Sequence, residues 1–155
     1  MVSSHDESKK RALAEELKSQ PDFTSLVKLI ETLLGEDGCP WDRARRVEDC
    51  PEYLRGELEE LNSAIRAMDN AGMIEELGDL LFMTVFTMKV AEKEGRLESR
   101  QVFERIVEKM VYRHPHVFGG ELKASTAEEV LDNWKKLKAQ EKRRCENADD
   151  KGASL

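Results

Sequence analysis

Between Leu80 and Met88 the chain carries no charged side chain, yet Glu76 and Asp79 lie on the same helical stripe as Met83, Phe86 and Val90. Positions three and four apart share one face of an α-helix. The second half of this segment therefore has to be buried, because an uncharged run leaves no solvated side. Its first half aims two carboxylates along a stripe that becomes core. A carboxylate kept from water needs an opposite charge or hydrogen bonds. Any fold for this chain has to give one helix a dry end and an ionic end.

The rest of the chain reads as helices divided by turn signals. Residues 6–19 form a charged, weakly amphipathic opener that stops before Pro21. Asp22 is placed to cap a second helix in which Phe23, Leu26, Val27, Ile30 and Leu33 keep helical spacing up to Gly35. Residues 35–50 carry Gly, Pro and Trp with no period and read as a loop. A third helix begins near Pro51, which suits a first turn, and carries Leu54, Leu58, Leu61, Ile65 and Met68. DNAG, residues 69–72, reads as a short break before a fourth helix from about Met73 to Glu94. Further helices are expected over about 100–112 and, behind the capping-box pair Thr126 and Glu129, through Val130, Leu131, Trp134, Leu137 and Lys138. No stretch shows strand alternation, so the fold class is all-α. The expected organisation is an N-terminal helical extension over 1–20, one domain over 21–145 and a flexible polar tail over 146–155.

Composition narrows the partners. With 25 basic and 32 acidic residues the net charge is −7, which disfavours a surface that tracks nucleic-acid phosphates. No apolar run approaches the roughly 20 residues of a membrane span. Cys39, Cys50 and Cys145 fit no zinc or redox spacing. These features point to a cytoplasmic protein that binds neither a nucleic acid polymer nor a membrane.

The two carboxylates of the fourth helix find company on the third. Glu57 and Glu60 are three residues apart, as are Glu76 and Asp79, so each pair points one way. With a turn at DNAG the helices become antiparallel neighbours. Glu60 then stands about 12 Å before the turn and Asp79 about 9 Å after it, nearly level. Glu57 and Glu76 extend the acidic strip in opposite directions. Like charges crowded in a half-dry place raise one another's pKa, and a hard divalent cation with oxygen ligands relieves them. One such pair is ordinary on a solvated helix; two pairs on consecutive helices carry the argument.

ExxE at Glu57 and Glu60, followed after 15 residues by ExxD at Glu76 and Asp79, resembles the metal signature of the MazG nucleotide pyrophosphohydrolases. GCPWD at 38–42, EELGDLLF at 75–82, RHPHVFG at 113–119 and NWxxxK at 133–138 resemble motifs of that family, in order. The resemblance spans about residues 23–142. It implies an all-α helical bundle completed by oligomerisation, as a homodimer or higher homo-oligomer. It implies Mg²⁺-dependent hydrolysis of nucleoside triphosphates to monophosphate and pyrophosphate, with Mn²⁺ as a substitute ion, clearing surplus or aberrant nucleotides. In that scheme Glu57, Glu60, Glu76 and Asp79 hold the metal, and water made more acidic attacks the α-phosphorus. Arg113 and Lys138 become candidates for phosphate contact, as do Arg43, Arg45 and Arg46 behind GCPWD. Trp41 and Trp134 are candidates for contact with the base, although Trp134 also fits the apolar stripe of its helix. His114 and His116 lack zinc-site spacing and read as fixing their loop.

Three departures from the family pattern bear on activity. Gly56 stands where a doubled acid is common, and Glu59 stands where an aromatic often precedes the last Glu. Tyr112 likewise replaces a frequent Arg. The chain also resembles the first copy in relatives with two tandem MazG domains, and its tail resembles the segment leading to a second copy. A catalytically weak or silent oligomerisation or regulatory module is therefore the competing reading. A phosphoribosyl-ATP pyrophosphohydrolase is disfavoured by GCPWD and RHPHVFG.

Overall fold

A computed structural model describes the backbone of residues 4–152 and the side chains of 7–141 and 143. Among the described residues there is no strand, as the all-α expectation requires, and no helix is long and apolar enough to cross a membrane. The chain divides after Ser99 into two compact units.

The first unit opens with α1 (Ser4–Ser19) and α2 (Phe23–Leu34). Asp22 caps α2 as expected, its Oδ1 accepting from the Ser25 amide at 2.8 Å. Gly38 then lies so close to the end of α2 that a Cβ there would meet the Leu33 carbonyl oxygen at 2.2 Å. Only glycine fits, and the next amide, Cys39, donates to that same carbonyl at 2.9 Å. The stretch expected to be a plain loop holds two short helical turns, α3 (Pro40–Arg43) and a 3-10 turn at Val47–Asp49. They are too short to show a period, and Pro40 at the first turn of α3 is the one local signal they leave.

α4 (Cys50–Ala67) and α5 (Asn70–Lys93) form a hairpin joined by Met68 and Asp69 alone. DNAG is thus not a four-residue break. Asp69 caps α5, its Oδ1 accepting from the amides of Ala71 and Gly72 at 3.1 Å each, so helix resumes at Asn70. Gly72 lets the helices close up, since a Cβ there would meet the Ala64 Cβ at 3.2 Å.

The core of this unit is Ile30 from α2, Cys50 from α4, and Val85, Phe86 and Val90 from α5, with Phe82, Met83 and Met88 packed against it. Burying side chains of this size contributes about 1.5–3 kcal/mol each. Within the uncharged run of α5, Val85 and Phe86 are buried as expected, but Leu81 stands 47% exposed and Thr84 is exposed too, so only one side of that run is dry. The apolar stripe of α4 is not dry: among its expected core residues Leu61 is buried, whereas Leu58, Ile65 and Met68 are exposed. On α5, Ile74 and Leu77 stand 76% and 55% exposed.

The second unit begins within α6 (Ser99–Arg113), continues through α7 (Pro115–Phe118), and ends in α8 (Ala127–Gly152). Gly119, at φ 81°, stops α7 in the left-handed conformation. The expected capping box opens α8, with the Glu129 amide donating to Thr126 Oγ1 at 3.3 Å and the Ser125 amide to Glu129 Oε2 at 2.7 Å. Arg113 reaches Glu141 through Nε at 3.0 Å and Nη2 at 2.5 Å, holding the end of α6 to α8. The helix of α8 continues through Gly152, into the segment expected to be a polar tail; residues 153–155 lie outside the described residues.

Glu92 joins α5 to the start of α6. It accepts from the Lys89 ammonium and, at 2.8 Å, from the Ser99 amide, while Lys89 also reaches Glu31 on α2 at 2.7 Å. The Lys89 bond, followed by the Ser99 amide bond, lowers the Glu92 carboxyl from 4.5 to about 2. A depressed folded pKa contributes stability that is present above the unfolded value and lost as pH falls through the folded one. Glu92→Gln should therefore cost about 1–2 kcal/mol at neutral pH, allowing for partial exposure, and flatten the acid side of the stability curve between roughly pH 4.5 and 2. Urea melts of both proteins across that window check this.

Candidate metal centre

The two-residue connection between α4 and α5 sets which acids meet. Measured from the helix ends, Glu60 and Glu76 lie about 10 Å and 9 Å from the connection, and Glu57 and Asp79 about 15 Å and 14 Å. Glu60 is therefore level with Glu76, and Glu57 with Asp79, not Glu60 with Asp79 as a four-residue break implied. Helix resumes within that stretch, so the register moves by nearly a turn.

Donor oxygens of Glu57, Glu76 and Asp79 all lie within 4.8 Å of one another, with Glu57 and Glu76 half-buried and Asp79 exposed. Glu60 lies outside that trio but close enough to act on it. The Glu57 carboxyl is held above the usual carboxylate range by burial, then by the charges of Asp79 and Glu60. Glu76 is raised as well, by burial first and then by Glu60, Glu75, Asp79 and Glu57. Among the described residues no Lys or Arg forms an ion pair with any of the trio.

Ligands on opposite sides of an ion stand two bond lengths apart, about 4.2 Å for Mg²⁺ and about 5 Å for Ca²⁺. A spread of up to 4.8 Å needs only small side-chain adjustments to close on either. The donor set is all oxygen and all anionic, which suits a hard divalent cation. These residues fit the ion that the acid spacing implies.

The other candidates form two local groups. In the first unit Trp41 is 54% exposed, with the Arg45 guanidinium 4.5 Å from its ring centroid and Tyr53 edge-on at 5.8 Å. Arg46 is engaged with Glu48 at 3.5 Å, and the Arg43 carbonyl accepts from Lys93 at 3.0 Å. In the second unit Arg113 and Lys138 both lie over the Trp134 ring, at 5.1 Å and 5.0 Å from its centroid. Arg113 is committed to Glu141 and only 12% exposed, while Lys138 is exposed. His114 anchors its loop through Nδ1, 2.6 Å from the Met110 carbonyl. Tyr53 was not anticipated. Its place four residues before Glu57 on one face of α4 is a sequence signal that an acid-only search passes over.

Residues 45–118, which include all four acids, match the family model for the MazG nucleotide pyrophosphohydrolase domain. The chain carries a MazG domain. It is 38% identical over 120 residues to the nucleoside triphosphate pyrophosphohydrolase/pyrophosphatase MazG of Thermotoga maritima, covering 77% of this chain and 45% of that protein. It is 37% identical over 107 residues to the nucleoside triphosphate pyrophosphohydrolase of Escherichia coli K12, covering 69% of this chain and 40% of that one. An uncharacterized Bacillus subtilis protein, YabN, is 37% identical over 136 residues, 88% of this chain and 28% of its own length. The chain thus spans less than half the length of these relatives. The crystal structure of a MazG-related protein from Thermotoga maritima superposes with a TM-score of 0.65 at 29% identity, covering 74% of this chain and 96% of that one.

Crowded acids without a cation strain the MazG domain, so neutralising one relieves it. Glu76→Gln should leave the melting temperature of the metal-free protein unchanged or higher. Millimolar Mg²⁺ or Mn²⁺ should raise the melting temperature of the parent, because a ligand that binds the folded state stabilises it, and raise that of the variant far less. Differential scanning fluorimetry with and without the ion reads both effects.

Proposed function

We propose that this chain is a nucleoside triphosphate pyrophosphohydrolase that releases a nucleoside monophosphate and pyrophosphate, and that it serves to clear surplus or aberrant nucleotides. The observation carrying this reading is the convergence of Glu57, Glu76 and Asp79 from two helices inside a MazG domain. Glu60 is taken as a fourth acid of the centre because its charge acts on both Glu57 and Glu76. Mg²⁺ is the proposed ion, with Mn²⁺ as a substitute. Bound there, the ion supplies positive charge against the triphosphate and makes water more acidic. The chain's own part is to hold four carboxylates on two helices whose register is locked, since phosphoryl chemistry depends chiefly on positioning and electrostatics. Lys138, exposed over Trp134, and Arg113, held by Glu141, are proposed as phosphate contacts. A reducing cytoplasm is the proposed setting.

Glu57→Gln, Glu76→Gln and Asp79→Asn should each reduce pyrophosphate release from nucleoside triphosphates by at least about 100-fold while circular dichroism keeps the parent helicity. Turnover that survives all three changes would reject the assignment. The silent-module alternative is motivated by Gly56, which stands where the family commonly has an acid and has open space around its Cβ position. Silence of the parent across a panel of triphosphates, with metal binding intact, would favour that module.

The same chain is proposed to work as a homodimer or higher homo-oligomer. Leu58 and Ile65 on α4 and Ile74, Leu77 and Leu81 on α5 leave a large exposed apolar surface beside the acids. Gly78, among them, has open space where a side chain would stand, which suits close approach by a second copy. Leu77→Glu should shift the sedimentation coefficient to that of a monomer at micromolar concentration, with helicity unchanged.

A further inference from the structure

Gly72 has no room for a side chain at the neck of the α4–α5 hairpin. A Cβ there would stand 3.2 Å from the Ala64 Cβ and 2.8 Å from Asp69 Oδ2. These two neighbours differ in what they can yield. Asp69 Oδ2 ends a side chain whose other oxygen caps α5, so it can turn aside. The Ala64 methyl is fixed to the α4 backbone and moves only if the helix moves. The connection gives little slack, being two residues long with Met68 in the left-handed conformation at φ 55°.

The contact shares its two helix faces with the acids. Glu76 and Asp79 lie four and seven residues after Gly72, and Glu60 and Glu57 lie four and seven residues before Ala64. Each stands within about 40° of the stripe that carries the contact, one or two turns further from the connection. The separation of α4 and α5 at Ala64 and Gly72 is thus passed on to the facing carboxylates. Helix axes approach to about 8 Å only where the side chains between them are small. Donor oxygens of the trio lie within 4.8 Å of one another, between the about 4.2 Å that spans Mg²⁺ and the about 5 Å that spans Ca²⁺. A small change in helix spacing therefore decides which ion the trio closes on.

We propose that the Ala64–Gly72 contact is the spacer that sets the size of ion the acid trio accepts, holding it to the smaller Mg²⁺. This rests on the reading of Glu57, Glu76 and Asp79 as metal ligands. Mg²⁺ demands short bonds in near-octahedral geometry, whereas Ca²⁺ tolerates longer and less regular ones. Widening the gap between the helices therefore loses Mg²⁺ first. Gly72→Ala adds the methyl that opens the gap and leaves every carboxylate as it is. Ala64→Gly in the same chain removes the methyl it would strike, so the swapped pair keeps the original combined size.

Calorimetric titration of the full chain with Mg²⁺ and with Ca²⁺, without nucleotide, reads the spacer directly. Gly72→Ala should weaken Mg²⁺ about 5-fold or more and leave Ca²⁺ within about 2-fold of the parent or tighter. Ala64→Val, which enlarges the other side of the contact, should shift the ratio of the two affinities the same way. The double change Ala64→Gly with Gly72→Ala should bring both ions back to within about 2-fold of the parent, a coupling expected of residues in contact. Circular dichroism should show the parent helicity throughout. Equal weakening of both ions by Gly72→Ala, weakening of neither, or a double change that fails to restore Mg²⁺ overturns the spacer, while binding by the parent keeps the metal centre standing. If the parent binds neither ion, the metal centre fails and the spacer fails with it.

Discussion

Electrostatic crowding between α4 and α5 is the constraint on which the site rests. Carboxylates on two helices are brought level because only Met68 and Asp69 separate Ala67 from Asn70. Asp69 caps α5 at once, and Gly72 allows α5 to lie against Ala64. A hairpin so short cannot slide, so Glu57 is kept with Asp79 and Glu60 with Glu76. Burial and mutual repulsion then raise Glu57 and Glu76 above the usual carboxylate range. The fold stores an unfavourable charge arrangement that a hard cation would relieve.

The core makes that arrangement tolerable. Val85, Phe86 and Val90 bury the far half of α5 against α2 and the first turn of α4, so the helix is anchored away from its acidic end. Lys89 and Glu92 add a charged seam on that same half, tying α5 to α2 and to the start of α6. The near half has no such cover. Its leucines and isoleucine are exposed on the same stretch of α5 as the acids, so the proposed chemistry and the proposed subunit contact share that stretch.

Elsewhere the motifs turn out to have local physical reasons. The glycine of GCPWD is there because a side chain would strike the Leu33 carbonyl, and this fixes where Trp41 stands. In the second unit Arg113, Trp134, Lys138 and Glu141 form one cluster, in which Glu141 occupies the guanidinium and leaves the ammonium as the exposed charge.

Much was determined by the sequence alone. The 3.6-residue spacing and the caps at Asp22 and Thr126 specify helices, since both depend on residues within a turn of one another. The acids were legible for the same reason, as two i,i+3 pairs. Which acids stand level was not, because a one-residue change in where α5 begins rotates it by about 100°, and the Asp69 cap that decides this reads equally well as a turn. Nor does spacing reveal that Leu58, Ile65 and Leu77 stay exposed, since an apolar stripe looks the same whether its partner is in the chain or outside it. Tyr53 came to Trp41 only through the folding of the intervening segment, a contact between residues that no helical period relates. Local rules fixed the elements; close approach between them decided the site.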